Sequence, residues 1–180
     1  YKDEEEVSNL TNVYNGVVNL YAVWVKSGAS YQVRYNSNGG SSEILELTTE
    51  ENHWTYENNV YKSGNYGIED SVSVIKTSKF TLTETTTISF DWAVSSEKYD
   101  YLYYSIYKDG SDTPLDDTGK DMGISGNSGI SDESELEYET ITKELEPGTY
   151  ILEFSYMKDE SDDAGLDTGY VKNVFIPGVG

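Results

Sequence analysis

Three aspartates at four-residue intervals, Asp159, Asp163 and Asp167, share one short segment, and Asp109, Asp112 and Asp116 share another. Hard cations take oxygen ligands from Asp, Glu and backbone carbonyls on loops, so structural calcium at Asp159, Asp163 and Asp167 is one reading. Neither segment matches the D-x-[DN]-x-[DN]-G loop. The competing reading has Asp159 and Ser161 capping turns, with Lys158 paired to Asp91 or Glu97 to lock the ends of two sheets together. A second chemistry is carried by aromatic side chains. Tyr101, Tyr103 and Tyr107 alternate along one segment, and His53, Trp54 and Tyr56 cluster beside the amides of Asn58 and Asn59. Sugar C–H patches sit on aromatic faces while phenols and amides satisfy sugar hydroxyls, so both clusters are candidate glycan platforms. The alternative is structural: tyrosines are good strand formers, and Trp54 fills a core. Catalysis has little to stand on. His53 is the only histidine, no G-x-S-x-G elbow occurs, and 33 acids supply carboxylate pairs at every separation without pointing to any. The expectation is a non-enzyme.

Strands must position these groups, because the hydrophobic pattern has period two. Ile88, Phe90, Trp92 and Val94 alternate with Ser89, Asp91, Ala93 and Ser95. Leu102, Tyr104 and Ile106 alternate with Tyr101, Tyr103 and Tyr107, and Tyr150, Leu152, Phe154 and Tyr156 with Ile151, Glu153 and Ser155. Weaker strands are predicted over 72–76, 79–83, 138–144 and 170–176, with turns at Ser63-Gly64, Lys108-Asp109-Gly110 and Pro147-Gly148. No long helix is expected, only a turn near 50–58, and 109–135 reads as one long surface loop. Many short strands with Gly- and Asp-rich turns predict an all-β, antiparallel two-sheet sandwich. Trp24, Phe90, Trp92 and Phe154 are assigned to the core, the indole of Trp92 needing a polar partner.

The chain has 180 residues and a formal net charge of −21. Such a surface repels phosphate, which excludes nucleic acid as a partner and disfavours anionic membranes. No apolar run reaches the roughly 20 residues of a membrane span, so no membrane insertion is expected. Zero cysteines exclude disulfides and thiolate metal sites. The chain begins at Tyr1, not Met, and reads as a fragment of a larger protein.

Two segments resemble known families. Val17-Val18-Asn19-Leu20-Tyr21-Ala22-Val23-Trp24 resembles the closing strand of an internalin B-repeat, and Tyr31-Gln32-Val33-Arg34-Tyr35-Asn36-Ser37-Asn38-Gly39-Gly40 resembles the opening of the next one. The remainder of that second repeat is missing after Gly40. This implies a B-repeat remnant over 1–40, a small N-terminal β appendage docked on the next domain. Ile88-Ser89-Phe90-Asp91-Trp92-Ala93-Val94-Ser95-Ser96-Glu97 with Tyr99-Asp100-Tyr101-Leu102 is similar to the central strands of MAM-like jelly-roll domains of bacterial surface proteins. Pro147-Gly148-Thr149-Tyr150, Tyr156-Met157-Lys158-Asp159-Glu160-Ser161 and Tyr170-Val171-Lys172-Asn173-Val174 match in the same order. Lys172 stands where that family usually has an acid. The resemblance implies a jelly roll over 41–180, an extracellular setting on a bacterial cell surface or in secreted form, and neighbouring domains of a larger surface protein.

The combined expectation is a carbohydrate-binding module that holds a neutral polysaccharide or glycan through Tyr101, Tyr103, Tyr107, His53, Trp54 and Tyr56. A neutral ligand fits because the net charge repels acidic ones. The alternatives are a structural or adhesive spacer, and a protein-binding adhesin module marked by an exposed apolar patch.

Overall fold

The computed structural model describes residues 44–117 and 123–179; the B-repeat remnant expected over 1–40, Trp24 included, lies outside them. Eleven strands run in chain order: β1 (Leu45–Glu46), β2 (Thr55–Glu57), β3 (Val60–Lys62), β4 (Val72–Thr77), β5 (Phe80–Leu82), β6 (Thr86–Ser95), β7 (Tyr101–Lys108), β8 (Pro114–Asp117), β9 (Glu139–Leu145), β10 (Gly148–Met157) and β11 (Thr168–Phe175). Among the described residues every pairing is antiparallel. One sheet has the order β1-β4-β10-β7-β8 with β5 also on β10, and the other the order β2-β3-β11-β6-β9. Successive strands cross between the sheets, β6 to β7 and then β9 to β10 to β11, which makes a jelly-roll sandwich. Among the described residues no helix is long and apolar enough to cross a membrane.

The alternation read from the residues decides which face is sealed. Ile88, Phe90, Trp92, Leu102, Tyr104, Ile106, Tyr150, Leu152, Phe154 and Tyr156 are all buried. The inner faces of the two sheets meet through edge-to-face rings: Phe90 stands at 4.8 Å and 86° to Phe154 and at 5.2 Å and 66° to Tyr104. Burying each such ring contributes about 1.5–3 kcal/mol, and the perpendicular geometry sets ring edges against ring faces. The Trp92 indole N–H donates to Glu139 Oε2 at 3.4 Å, the acidic partner its burial required.

Two regions depart from the sequence reading. The segment near 50–58 contains β2, which turns into β3 through Asn58 and Asn59 at φ 53° and 64°. Both turn residues occupy the left-handed region, as a tight two-residue hairpin demands, and asparagine tolerates it. The long loop expected over 109–135 is interrupted by β8 and by a single 3-10 turn at Glu133–Glu135. Here Asp116 is partly buried: it accepts from the Tyr104 hydroxyl at 3.3 Å and pairs with Lys143 of β9 at 2.7 Å, joining the edges of the two sheets.

The loop from β10 to β11 carries the chain from one sheet to the other and closes on a buried ammonium. Lys158 is 3% exposed, and its Nζ donates to Asp163 Oδ1 and to Asp167 Oδ2. Asp167 is 1% exposed; it also accepts from the Tyr156 hydroxyl at 3.2 Å and from the Gly67 N–H at 2.8 Å. Burial alone would lower the Lys158 pKa, but the hydrogen bonds and charges of Asp163 and Asp167 more than offset it and hold it above its ordinary value. The buried pair with Asp91 or Glu97 is therefore replaced by one within the loop. Asp91 instead accepts from Thr140 and Asn173.

Removing one member of a buried pair leaves the other charged and unpaired, at a cost of about 3–5 kcal/mol. Lys158→Met should lower unfolding stability by about that amount in urea titration at pH 7, and adding Asp167→Asn should recover part of the loss. Asp163 is held below the usual carboxylate range, first by its hydrogen bond from Lys158. Its ionised form is favoured in the folded chain, so its stabilisation is complete above the ordinary carboxylate pKa and is lost as pH falls through the lowered value. Asp163→Asn should accordingly unfold earlier than the parent at pH 7, and the two midpoints should converge in acid.

A tyrosine face and the acidic cleft at its end

β7 is sealed by its even-numbered residues, so Tyr101, Tyr103, Ser105 and Tyr107 point to the opposite face. The three tyrosines are half-buried. The ladders place outward residues of β10 and β4 beside them in rows. Tyr101 is level with Met157, which pairs with Val72, and Tyr103 is level with Ser155, which pairs with Val74. Ser105 is level with Glu153, which pairs with Lys76, and Tyr107 is level with Ile151. Ser105 and Ser155 are buried although they share the outward parity. Two short hydroxymethyl side chains thus lie beside taller tyrosine, valine and glutamate neighbours. Val72 and Val74 are 45% and 43% exposed, so the face is apolar as well as phenolic. Burial first raises the Glu153 pKa, and the charge of Lys76 opposes that shift.

The row of Tyr101, Met157 and Val72 continues into a cleft of about 600 Å³ at the end of the sheet, within the range of small-ligand sites. Tyr99 completes an apolar and aromatic wall, and Asp70, Asp159 and Glu160 supply carboxylates. Beside the cleft, Glu97, Asp100 and Asp159 bring one carboxylate oxygen each to within 4.8 Å of one another. Asp100 is fully buried. Its Oδ1 accepts from the Asp159 N–H at 2.9 Å, and its Oδ2 has no partner. Burial, ahead of every other influence, pushes its pKa up to about 6; the Asp159 N–H and Lys158 oppose this, and Glu97 and Asp167 add to it.

The candidate residues from the sequence separate into groups. Tyr101, Tyr103 and Tyr107 come together on the outward face of β7. Trp54 does not join a platform: it is 2% exposed and belongs to the core cluster, with its Nε1 unpartnered. A ring with no open face offers nothing to a sugar; Trp54 fills the core and is not a ligand platform. His53 is exposed, with Nδ1 2.9 Å from the Glu50 carbonyl oxygen. Tyr56 of β2 tilts against Tyr61 with ring centroids 4.4 Å apart, in the other sheet from the β7 tyrosines. Asp159, Asp163 and Asp167 do not form one cage, because Asp163 and Asp167 are committed to Lys158 while Asp159 turns to Glu97 and Asp100. Lys172, found where the resembling family has an acid, lies 3.5 Å from the centre of the Tyr138 ring. Burial, with Glu133 and Asp91 nearby, pushes the Tyr138 phenol up to about 12.

Sequence reasoning missed Glu97 and Asp100, yet a signal was present. Asp100 has the same parity as Leu102, Tyr104 and Ile106, so extending the inward face of β7 by one step places a carboxylate inside.

No protein-family model matches the chain, and no curated protein matches it significantly in sequence. Among solved structures it is similar to the pre-peptidase C-terminal domain of collagenase from Bacillus anthracis, with 15% identity and a TM-score of 0.36 over 66% of this chain and 90% of that one. It is also similar to the K3 cleaved adhesin domain of Lys-gingipain from Porphyromonas gingivalis w83, with 15% identity and a TM-score of 0.42 over 63% of this chain and 70% of that one. Both likenesses concern the fold, and neither carries a ligand over to this chain.

Proposed function

We propose that the chain is a non-catalytic carbohydrate-binding module of a bacterial cell-surface or secreted protein, and that the outward face of β7 and β10 holds a neutral glycan. One observation carries this reading. Tyr101, Tyr103 and Tyr107 stand on one face, none sealed in the core, with the buried Ser105 between Tyr103 and Tyr107 and the buried Ser155 beside Tyr103 on β10. Phenol rings two and then four residues apart on one strand face offer stacking surfaces, and their hydroxyls, with Glu153 and Lys76 in the Ser105 row, offer hydrogen bonds to sugar hydroxyls. The net charge of −21 favours an uncharged ligand over an acidic one. Because the platform is paired strand on both sides of β10, binding requires little backbone movement.

A second reading has its own observation. Val72 and Val74 extend the tyrosine face with exposed apolar surface, which suits a protein partner in an adhesin module.

Retention on insoluble neutral polysaccharides, followed by a glycan array, separates the two. The glycan reading expects retention that Tyr103→Ala weakens about 3- to 10-fold, the loss of one aromatic contact. Added salt should change it little, since stacking is not screened. His53→Ala, in the other sheet, should leave it unchanged. Absence of retention on every neutral polysaccharide would remove the glycan reading and leave a structural or adhesive spacer or a protein-binding module. For the protein-binding module, Val74→Lys should abolish adhesion to a protein partner.

A further inference from the structure

The turn from β6 to β7 and the loop leaving β10 meet at three carboxylates. Glu97 and Asp100 come from the first and Asp159 from the second, with oxygens within 4.8 Å of one another. A backbone N–H fixes each group in place: Tyr99 N–H donates to Glu97 Oε1, Asp159 N–H to Asp100 Oδ1, and Ser161 N–H to Asp159 Oδ1 at 2.8 Å. Acids this close repel one another; the charge of Lys158 favours the Asp100 carboxylate, but its ion pairs are made with Asp163 and Asp167. The decisive atom is Asp100 Oδ2. It belongs to a residue with no exposed surface and has no hydrogen-bond partner. A buried acceptor left unsatisfied costs about 1–3 kcal/mol, more when charged, unless a ligand completes it.

We propose that Glu97, Asp100 and Asp159 bind a hard divalent cation, with Ca²⁺ the best match, through an oxygen-only site that uses Asp100 Oδ2 and clasps the β6–β7 turn to the loop after β10. Oxygen ligands lie at about 2.3–2.6 Å from Ca²⁺, so oxygens on opposite sides of the ion are roughly 4.6–5.2 Å apart, and the observed grouping fits inside that sphere. Mg²⁺ at about 2.0–2.1 Å demands a tighter octahedron. No imidazole or thiolate is among the donors, which excludes softer metals. Glu97 and Asp159 are only partly buried, and Asp159 also lines the cleft, so water reaches the site to complete the coordination. Tyr99 and Tyr101 flank Asp100 in sequence, so the ion would hold the aromatic wall of the cleft in place. The site stands whatever the tyrosine face binds.

The test uses the full chain at fixed ionic strength, melted in chelator and then in calcium chloride, with calorimetric titration of Ca²⁺ and Mg²⁺. A one-site Ca²⁺ isotherm is expected, with a Tm increase of about 5–10 °C at a hundredfold excess over Kd and a smaller response to Mg²⁺. Glu97→Gln and Asp100→Asn should each weaken Ca²⁺ at least about tenfold, since outer partners alone already shift affinity that much. Asp112→Asn, an exposed acid elsewhere, should leave the response intact, which separates binding from general screening of the negative surface. A wild-type chain with no calcium heat and no Tm shift overturns the proposal. So does a Ca²⁺ response that survives Glu97→Gln and Asp100→Asn, and an equal response to Mg²⁺ overturns the calcium assignment. Should Asp100→Asn fail to fold, Glu97→Gln, at a partly exposed position, decides alone.

Discussion

A single ammonium buried at one end of the sandwich sets the arrangement of nearly everything around it. Lys158 is the first residue after β10 and Asp167 the last before β11, so their contact closes the crossing between the sheets. Around that contact the backbone is drawn in from several directions. Gly67 N–H reaches Asp167, Lys158 N–H reaches the Ser71 carbonyl at 2.9 Å, and the Asn65 side-chain amide reaches the Tyr156 carbonyl at 3.2 Å. Asp167 itself takes φ of 47°, a conformation that an aspartate tolerates when its side chain is tied down. Buried ion pairs owe their worth to the completeness of their hydrogen bonding. Here both Asp167 oxygens are satisfied, one by Tyr156 and the other by Lys158 and Gly67. The same geometry moves Asp163 and Asp167 out of contention as cation ligands and leaves Asp159 to face Glu97 and Asp100.

Gly64 permits a close backbone approach near that end. A Cβ on Gly64 would lie 1.9 Å from the His53 carbonyl oxygen, so no larger residue fits where the 63–71 loop passes the segment before β2. Gly64 N–H donates to Ser73 Oγ at 3.0 Å and Ser73 Oγ donates to the Asn52 carbonyl at 2.5 Å, so the passage is hydrogen-bonded across β4. The exposed valines of that strand are thus presented by backbone that cannot easily shift.

Period-two alternation made the core and the outward tyrosines legible, because a strand in a sandwich must send alternate side chains to opposite solvents. Phe90, Trp92 and Phe154, which the sequence assigns to the core, are buried. Three things were not legible. The hairpin at Asn58-Asn59 lacks the glycine that usually marks such a turn. β8 lies inside an acidic stretch whose composition reads as loop; it is held by its pairing with β7 and by the contacts of Asp116 with Tyr104 and Lys143. The partnering of the acids was hidden because carboxylates spaced four apart look equivalent in sequence. Which of them meets an ammonium and which meets another acid is decided by how two distant loops cross. Asp100 is the instructive exception, since its parity announced its burial although its composition suggested a turn.

The two ends of the described sandwich are fastened unequally. β1 contributes only two residue pairs, Leu45 with Thr77 and Glu46 with Lys76, at the border of its sheet. β11 runs between β3 and β6 in the middle of the other sheet and is gripped along both sides. A pull transmitted through the residues before Leu45 therefore meets a short zipper secured by one buried leucine, whereas a pull through β11 must shear two ladders at once. Under mechanical load the sandwich would yield from its β1 border inward, uncovering the flank of β4 while the interior strands still hold.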